Sequence, residues 1–451
     1  MKATKIKSSN LSNSGLRMDA SLYLSEGIQV LSLLNAPQIK TKSLKDITSD
    51  IFYGNRSRRV YVTNPKNGIP FIKGADITKS NFSSLKLISK KKTKNLESYA
   101  LEERWTLITR SGSIGNTAFV NEDFIGKAAS DDIIRVCPKD IPAGFLYAYL
   151  SSKFGNALLT QNKYGAVIQH IEPEHIENIP VPIFSKSKQQ EIHNLIVESA
   201  NLRVEANQLL EEAIAYFDNK IEVPKENQKF FSKSVQQLSF SWASYNNNKQ
   251  CDLIEDQVKN DSMKLGEISE SIFAPPMFKH IYLNKDNGNP FLTGAELTRQ
   301  NPKFYRWLSP RGVKDIEDYK VEKGTLLLYK SGTTDGGILG NVFIADDNLH
   351  GVCLSDHVIR IAMNKLSDAY WAYAFLKSRA GVQLLFRLAT GTMIPFITPE
   401  RLKELSIPKQ DEEYDRITDL VDKYIFKRVL ANNKENQAIS LVEKEIESWQ
   451  Q

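Results

Sequence analysis

Two short basic runs stand out among the side chains that can do chemistry. Arg56, Arg58 and Arg59 lie together in YGNRSRRVYV, and Lys90, Lys91, Lys92 and Lys94 lie together in SKKKTKN. An arginine fork matches the O6/N7 edge of guanine bidentately. Lysine acts as a point charge and suits phosphate; its run equally suits a solvated loop. Residues 40–110 hold 16 Lys+Arg against 6 Asp+Glu, whereas residues 409–451 hold 7 against 10. The net charge of +6 is therefore concentrated rather than spread, which is the electrostatic footprint of a polyanionic partner.

Catalytic constellations are missing. The three cysteines, Cys137, Cys251 and Cys353, stand alone without a C-x-x-C pair, so neither a zinc site nor a disulfide framework is expected. The six histidines form no nucleophile–base or metal pattern. An amino-methyltransferase needs an Asn/Asp-Pro-Pro-Tyr/Phe motif, and NGNPF has one proline in the wrong order. A nuclease of the Asp…Glu-x-Lys type is not supported by VEKG (Val321–Gly324) or by LEERW in the first half. Gly112 and Gly115 lack the spacing and the Lys-Ser/Thr of a P-loop. The expectation is a non-enzymatic chain with no metal and no cofactor. No apolar run approaches the roughly 18–20 residues a membrane helix needs, and the basic N-terminus is not followed by an apolar segment. A reduced, cytoplasmic protein with no membrane partner is expected.

The elements that must position these residues come in duplicate. NGIPFIKGADIT (Asn67–Thr78) returns as NGNPFLTGAELT (Asn287–Thr298). RSGSIGN (Arg110–Asn116) matches KSGTTDGGILGN (Lys330–Asn341), and SDDIIRV (Ser130–Val136) matches SDHVIRI (Ser355–Ile361). YAYLSSKFGNALL (Tyr147–Leu159) matches YAFLKSRAGVQLL (Tyr373–Leu385), and GAVIQHIEPEHI (Gly165–Ile176) matches GTMIPFITPERL (Gly391–Leu402). The offset drifts only from 220 to 226 and order is kept. A chain of 451 residues is thus a tandem duplication of one domain-sized unit, too long a repeat for a solenoid.

Each half opens with short β-branched and aromatic runs bounded by Gly, Asn and Asp, the signature of strands. A short helix follows, Phe145–Leu159 or Ala369–Leu388. Then comes a long one, roughly Lys188–Asn219 or Glu412–Gln450. In the first long helix Ile192, Ser199, Ala206 and Ala213 form an a series, with Leu195, Leu202, Leu209 and Tyr216 at d. The second repeats the phase with Ile417, Tyr424, Ala431 and Ala438. Its companions Leu420, Lys427, Lys434 and Leu441 interrupt the seam with two lysines. Small a residues favour mutual, antiparallel pairing with a β-rich domain at each end. The glycines of SGSIG and of the opening NG are expected to hold turns at positive φ. The fold class expected is α+β: two pseudo-symmetric β-rich domains, 1–183 and 223–408, joined by long antiparallel coiled-coil helices at 184–222 and 409–451.

The duplicated set resembles a known family, the DNA-specificity (S) subunits of type I restriction–modification systems. NGIPFIKGADIT and NGNPFLTGAELT are similar to the Pro-Phe/Tyr-x-x-x-x-Asp-Ile opening of a target-recognition domain. LITRSGSIGNTAFV is similar to the family's Gly-Ser/Thr-Ile-Gly turn. IENIPVPIFSKSKQQEIHNLI is similar to the segment where a strand ends and Gln-x-x-Ile starts the helix, and LSIPKQDEEYDRI lacks that Gln. GLRMDASLYL (Gly15–Leu24) resembles the Arg-x-Asp-x-x-x-Tyr start of some relatives. The resemblance implies a bipartite, asymmetric site in double-stranded DNA, one half per domain, with the helices setting a separation near one helical turn. It implies partners: two methyltransferase (modification) subunits docked on acidic helical faces such as Asp411, Glu412, Glu413 and Asp415, and a restriction/translocase subunit through the complex. In the first domain the candidate DNA contacts are Arg56, Arg58, Arg59, Lys73, Lys90, Lys91, Lys92, Lys94, Arg110, Ser111, Gln169 and His170. In the second they are Lys279, His280, Thr293, Arg299, Lys303, Arg306, Lys330, Ser331 and the inserted Thr333, Thr334 and Asp335. The alternatives are the specificity component of a related restriction or phage-defence system, or a coiled-coil scaffold that does not bind DNA. Steep salt dependence of duplex binding separates a reader from a scaffold.

Overall fold

The computed structural model describes residues 23, 25–82, 85–161, 169–224, 232–238, 242–243, 246–332, 338–391 and 393–449. Of Gly15–Leu24 only Tyr23 falls among the described residues, and Thr333, Thr334 and Asp335 fall outside them. The chain divides into two compact units, Met1–Val204 with Leu430–Gln451, and Glu205–Val429.

Unit 1 contains β1 (Thr41–Ser43), β2 (Thr48–Tyr53), β3 (Tyr61–Val62), β4 (Gly68–Ile72), β5 (Leu87–Ser89), β6 (Thr106–Thr109), β7 (Thr117–Phe119), β8 (Ala128–Ala129), β9 (Ile133–Pro138) and β10 (Pro180–Pro182). Its helices are α1 (Glu26–Leu34), α2 (Ala143–Ser151), α3 (Lys153–Gln161) and most of α4 (Lys186–Lys220). The strands form sheets of order β2-β9-β6-β7, β3-β5-β4-β8 and β1-β10. All pairs are antiparallel except β4 with β8.

Unit 2 repeats this order with β11 (Ser262–Lys264), β12 (Ser269–Phe273), β13 (Tyr282–Leu283), β14 (Asn289–Leu292), β15 (Arg306–Leu308), β16 (Leu326–Tyr329), β17 (Val342–Ile344), β18 (Cys353–Leu354), β19 (Val358–Met363) and β20 (Ser406–Pro408). Its sheets run β12-β19-β16-β17, β13-β15-β14-β18 and β11-β20. Its helices are α5 (Lys249–Lys259), α6 (Leu366–Lys377), α7 (Arg379–Arg387) and part of α8 (Tyr414–Ser448). The doubled β-rich architecture with two long helices is the one the sequence predicts.

The central strands are buried along most of their length because both faces of the sheet are covered. In unit 1 Ile108, Ile134 and Val136 face the helices, while Leu107 and Ile133 face the second sheet with Ile72 and Ile77. In unit 2 Leu326, Leu328, Ile359 and Ile361 take the first role, and Leu327, Tyr329 and Val358 the second.

Four expectations need correction. The single short helix of each half is two helices, α2/α3 and α6/α7. Ser152 and Ser378 break them, and their hydroxyls accept the N–H of Gly155 (3.2 Å) and Gly381 (3.1 Å). The opening Gly68 has φ of −118°. It is required by close approach instead: a Cβ there would lie 2.6 Å from the Leu87 Cβ, and one at Gly288 2.5 Å from the Trp307 Cβ. Gly112 and Gly115 do hold positive φ, +70° and +81°.

The helix seam is the third correction. Ile192, Ser199, Ala206 and Ala213 are buried, but their companions are Ile196, Arg203, Leu210 and Phe217. The shift is one residue from the expected series. The same shift applies in α8, where Val421, Arg428, Glu435 and Val442 accompany Ile417, Tyr424, Ala431 and Ala438. Fourth, Lys427 and Lys434 do not interrupt this seam. They flank it and pair with Glu205 and Glu198 across it. The pairing is antiparallel within each unit: Lys188–Glu445, Glu198–Lys434 and Ser199 Oγ to the Ala431 carbonyl (2.7 Å) in unit 1, and Glu205–Lys427 and Glu212–Arg416 in unit 2.

The seam arginines occupy duplicated positions with different partners. Arg203 donates to Glu435 and to Asn432 Oδ1 (3.1 Å), and Tyr147 donates to Glu435 as well. Arg428 pairs with Asp346 (3.3 Å) and donates to the Tyr424 hydroxyl (3.1 Å).

Candidate nucleic-acid interface

Strand register brings the two basic runs of unit 1 together. β3 and β5 are antiparallel, with Tyr61 opposite Ile88 and Val62 opposite Leu87. Extending that register past β3 places Arg56–Arg59 beside the residues that follow β5, and the Ser89 N–H to Val60 carbonyl bond (2.8 Å) continues the ladder there. The result is an open cleft lined by Asn55, Arg56, Ser57, Arg58, Lys92, Lys94 and Asn95. It has four cations and no carboxylate in its walls. The side chains of Arg58, Lys90, Lys91, Lys92 and Lys94 are exposed and form no ion pair among the described residues. A carboxylate-free cationic groove raises the local concentration of phosphate.

At the cleft's edge the charge is balanced. Arg59 Nη2 donates to Asp131 Oδ1 (2.7 Å), Ser130 Oγ (3.2 Å) and Asp132 Oδ2 (3.3 Å), and its guanidinium lies 5.4 Å from the Phe71 ring centre. Partial burial works against its charge; Asp131 and then Asp132 outweigh burial, so its pKa is raised. Arg56 reaches Asp131 Oδ2 at 3.5 Å. Asp132 Oδ1 also accepts the Ser111 hydroxyl (3.0 Å), and Ser111 is bridged to His170. One carboxylate thus connects the arginine run, Ser111 and the His170 segment, whose Gln169 is exposed. Lys73 is exposed beside the Tyr61 ring, 5.9 Å away. Its own N–H is capped by Asp76 Oδ2 (2.9 Å), so the repeated NGIPFIKGADIT segment is scaffold: Phe71 and Ile72 are buried in β4.

Arg110 does not belong to this surface. It is 2% exposed, its Nε donates to Glu172 Oε2 (3.1 Å) with Nη2 on the other oxygen, and its guanidinium stacks 4.5 Å from the Tyr53 ring. Another buried arginine recurs in both units and serves backbone. Arg135 donates to the carbonyls of Ser130 (3.0 Å), Ile133 (2.6 Å) and Ala129 (2.5 Å). Arg360 donates to those of Val358 (2.8 Å), Tyr319 (3.1 Å) and Leu354 (2.9 Å). Burial lowers both pKa values to about 10. These arginines pin the SDDIIRV and SDHVIRI loops from below.

The corresponding face of unit 2 is less cationic. Tyr282 stands opposite Leu308 and Leu283 opposite Trp307, so Lys279 and His280 lie beside the segment after β15, and Ser309 N–H bonds the Ile281 carbonyl (2.8 Å). That segment offers Arg311 and Lys314, two cations with no distinguishing motif in the sequence. His280 packs on Phe278 and Phe291 at 4.6 and 5.3 Å between ring centres. Arg306 is tied to Glu296 (2.6 Å); burial opposes its charge, and Glu296 outweighs burial and raises its pKa. The Thr293 hydroxyl is also spent on Glu296 (3.0 Å). Arg299, Lys303 and Lys330 are half-buried. Ser331 is bridged to Phe396, repeating the Ser111–His170 arrangement. Of the acidic residues at the start of α8, Asp411 is held by Lys220 and Tyr216 and Glu413 by Arg416, whereas Glu412 and Asp415 are exposed.

The comparison with known families turns on the doubled pattern. The family profile described as "Type I restriction modification DNA specificity domain" matches twice, over residues 38–212 and 257–440. The chain belongs to this family. Both copies of the specificity domain contain the paired sheets and basic or polar loops described above. Among solved structures, the S subunit of a type I restriction–modification system from M. genitalium is 15% identical, with 92% of this chain and 94% of that chain covered and a TM-score of 0.33. The HsdS subunit from Thermoanaerobacter tengcongensis is 15% identical, with 92% and 96% covered and a TM-score of 0.28. Neither superposition is close enough to bear on side-chain geometry. No curated protein sequence matches the chain significantly. Among the described residues, no helix is long and apolar enough to cross a membrane.

Proposed function

We propose that this chain is the DNA-reading subunit of a type I restriction–modification complex and carries no catalysis itself. The observation that supports this best is the convergence of Arg56, Arg58, Lys92 and Lys94 on one carboxylate-free cleft in a chain of the DNA-specificity family. Phosphate contacts position such a protein, and base-edge contacts specify the sequence. In unit 1 Arg58 and the lysines contact phosphate. Arg59, oriented by Asp131 and Asp132, presents its guanidinium at the same edge as Ser111, Gln169 and His170. A fixed arginine fork discriminates better than a mobile one, because less rotamer freedom is lost on binding.

Unit 2 reads a different half-site with Lys279, His280, Arg311, Lys330 and Ser331 on the same scaffold. The two half-sites are therefore unlike and the target is bipartite and asymmetric. The antiparallel helices set the spacing, near one helical turn. Their outer faces, including Glu412 and Asp415, dock two modification subunits. Those subunits perform methylation and link the chain to the restriction/translocase subunit in the cytoplasm.

The test is to map methylated motifs in DNA from cells that express this chain with its modification subunits. A two-part motif with unlike halves is expected. A continuous motif refutes the bipartite reading, and methylation independent of this chain refutes the assignment as the reader.

A further inference from the structure

Unit 2 carries an exposed apolar projection. The chain turns back between Thr390 and Phe396, closed by two backbone bonds: Thr390 N–H to the Phe396 carbonyl (2.8 Å) and Phe396 N–H to the Thr390 carbonyl (2.7 Å). At its tip Met393 is 89% and Ile394 67% exposed, followed by Pro395 and a 39% exposed Phe396. Large apolar side chains held this far into water on a closed turn call for a partner surface. Pro395 fixes φ and stiffens the tip.

Its location says which partner. Gly332 N–H bonds the Pro395 carbonyl (3.1 Å), Ile397 N–H bonds the Lys330 carbonyl (2.8 Å), and Phe396 is bridged to Ser331. By the internal duplication this is the place of His170, which unit 1 connects through Ser111 and Asp132 to Arg59 at the cationic cleft. The tip therefore adjoins Lys330 and Ser331, two candidate DNA contacts of unit 2. Unit 2 is also short of charge: residues 264–330 hold 11 Lys+Arg against 8 Asp+Glu. An apolar residue that kinks a duplex gains by separating stacked bases, and Met, Ile and Pro are among the side chains used as such wedges.

We propose that Met393 and Ile394 insert at a base step of the half-site read by unit 2. Apolar insertion then adds to the few cations with which unit 2 holds its half-site. This inference rests on the DNA-reading function proposed above.

The experiment uses the full chain with its modification subunits. The duplexes bear the mapped site with 2-aminopurine at successive positions of each half. The variant is Met393→Ser/Ile394→Ser, at exposed positions where folding does not depend on the side chains; equal Tm verifies this. Wild type is expected to brighten one position, in one half-site, that stays dark in the variant. The variant is expected to lose about 10- to 100-fold in affinity, the burial of two apolar side chains less the cost of unstacking a base step, with an unchanged salt slope. Wild-type binding that the variant retains in full, or a fluorescence pattern identical in both, overturns the wedge alone. A variant that no longer assembles with modification subunits also overturns it, by showing the tip to be a protein contact. A wild-type chain without sequence-selective binding removes the DNA reading and the wedge with it.

Discussion

Replacing Arg58, Lys92 and Lys94 together by alanine removes the three cations of the unit 1 cleft that have no ion-pair partner among the described residues. Arg56 is left in place because it is shared with Asp131. Each phosphate contact contributes about 0.9 to the slope of log K against log salt, so three contacts give about 2.7. With affinities converging near 1 M salt, the variant binds about 500-fold more weakly at about 0.1 M. Since phosphate contacts carry no sequence information, the methylated motif stays the same. The assay is anisotropy of a labelled duplex titrated over about 50–300 mM KCl, with an unrelated duplex as control, because the slope is defined only over a salt series. Exposed, unpaired side chains make little contribution to folding, so Tm is expected to hold. A slope equal to wild type refutes the phosphate role. An altered motif refutes the division between anchoring lysines and the reading Arg59.

Three further outcomes follow from the packing. Arg203→Met leaves Glu435 buried without its cation and is expected to cost about 3–5 kcal/mol, read by chemical denaturation; Arg203→Met with Glu435→Met recovers most of it. Gly155→Ala and Gly381→Ala each drive a Cβ to 2.1 Å from a carbonyl oxygen, of Tyr149 and Phe375 respectively, so both lower Tm, while Gly112→Ala, with nothing within 4 Å, meets only the strain of its φ of +70°. His193 Nδ1 accepts the Gly144 N–H (3.0 Å), and burial, then the Arg104 charge, lower its pKa. Its stabilising contribution is full above the unfolded value near about 6.5 and is lost as pH falls through the folded value; Tm of wild type should therefore drop below that pH more than Tm of His193→Gln.

The duplication made the architecture readable before any coordinates, because two independent copies of each strand run in one order leave few topologies. What the sequence concealed were contacts between distant segments. Leu195, Leu202 and Leu209 outrank Arg203 in hydrophobicity, so the heptad pattern alone places the seam one residue away; Arg203 enters it because Glu435 faces it. Arg110 and Arg58 read alike in sequence, and Glu172 decides that one is buried. The convergence of Arg56–Arg59 with Lys90–Lys94 needs the β3–β5 register, which neither run announces. Asp131 and Asp132 lie in the repeated SDDIIRV segment, and their orienting role shows only through the bonds from Arg59.

The two seam arginines bear on how such a gene can recombine. Shifted by the repeat length, Arg428 corresponds to Arg203, and Glu435 to Leu210, itself buried at 3% exposure. A recombinant that carries the first half twice sets each Arg203 against leucine, at a cost of about 3–5 kcal/mol per stranded charge. One that carries the second half twice gives each Arg428 a facing Glu435 besides its own Asp346. Gene conversion between the halves is therefore expected to be directional, the second copy overwriting the first helix at a lower cost in stability than the reverse.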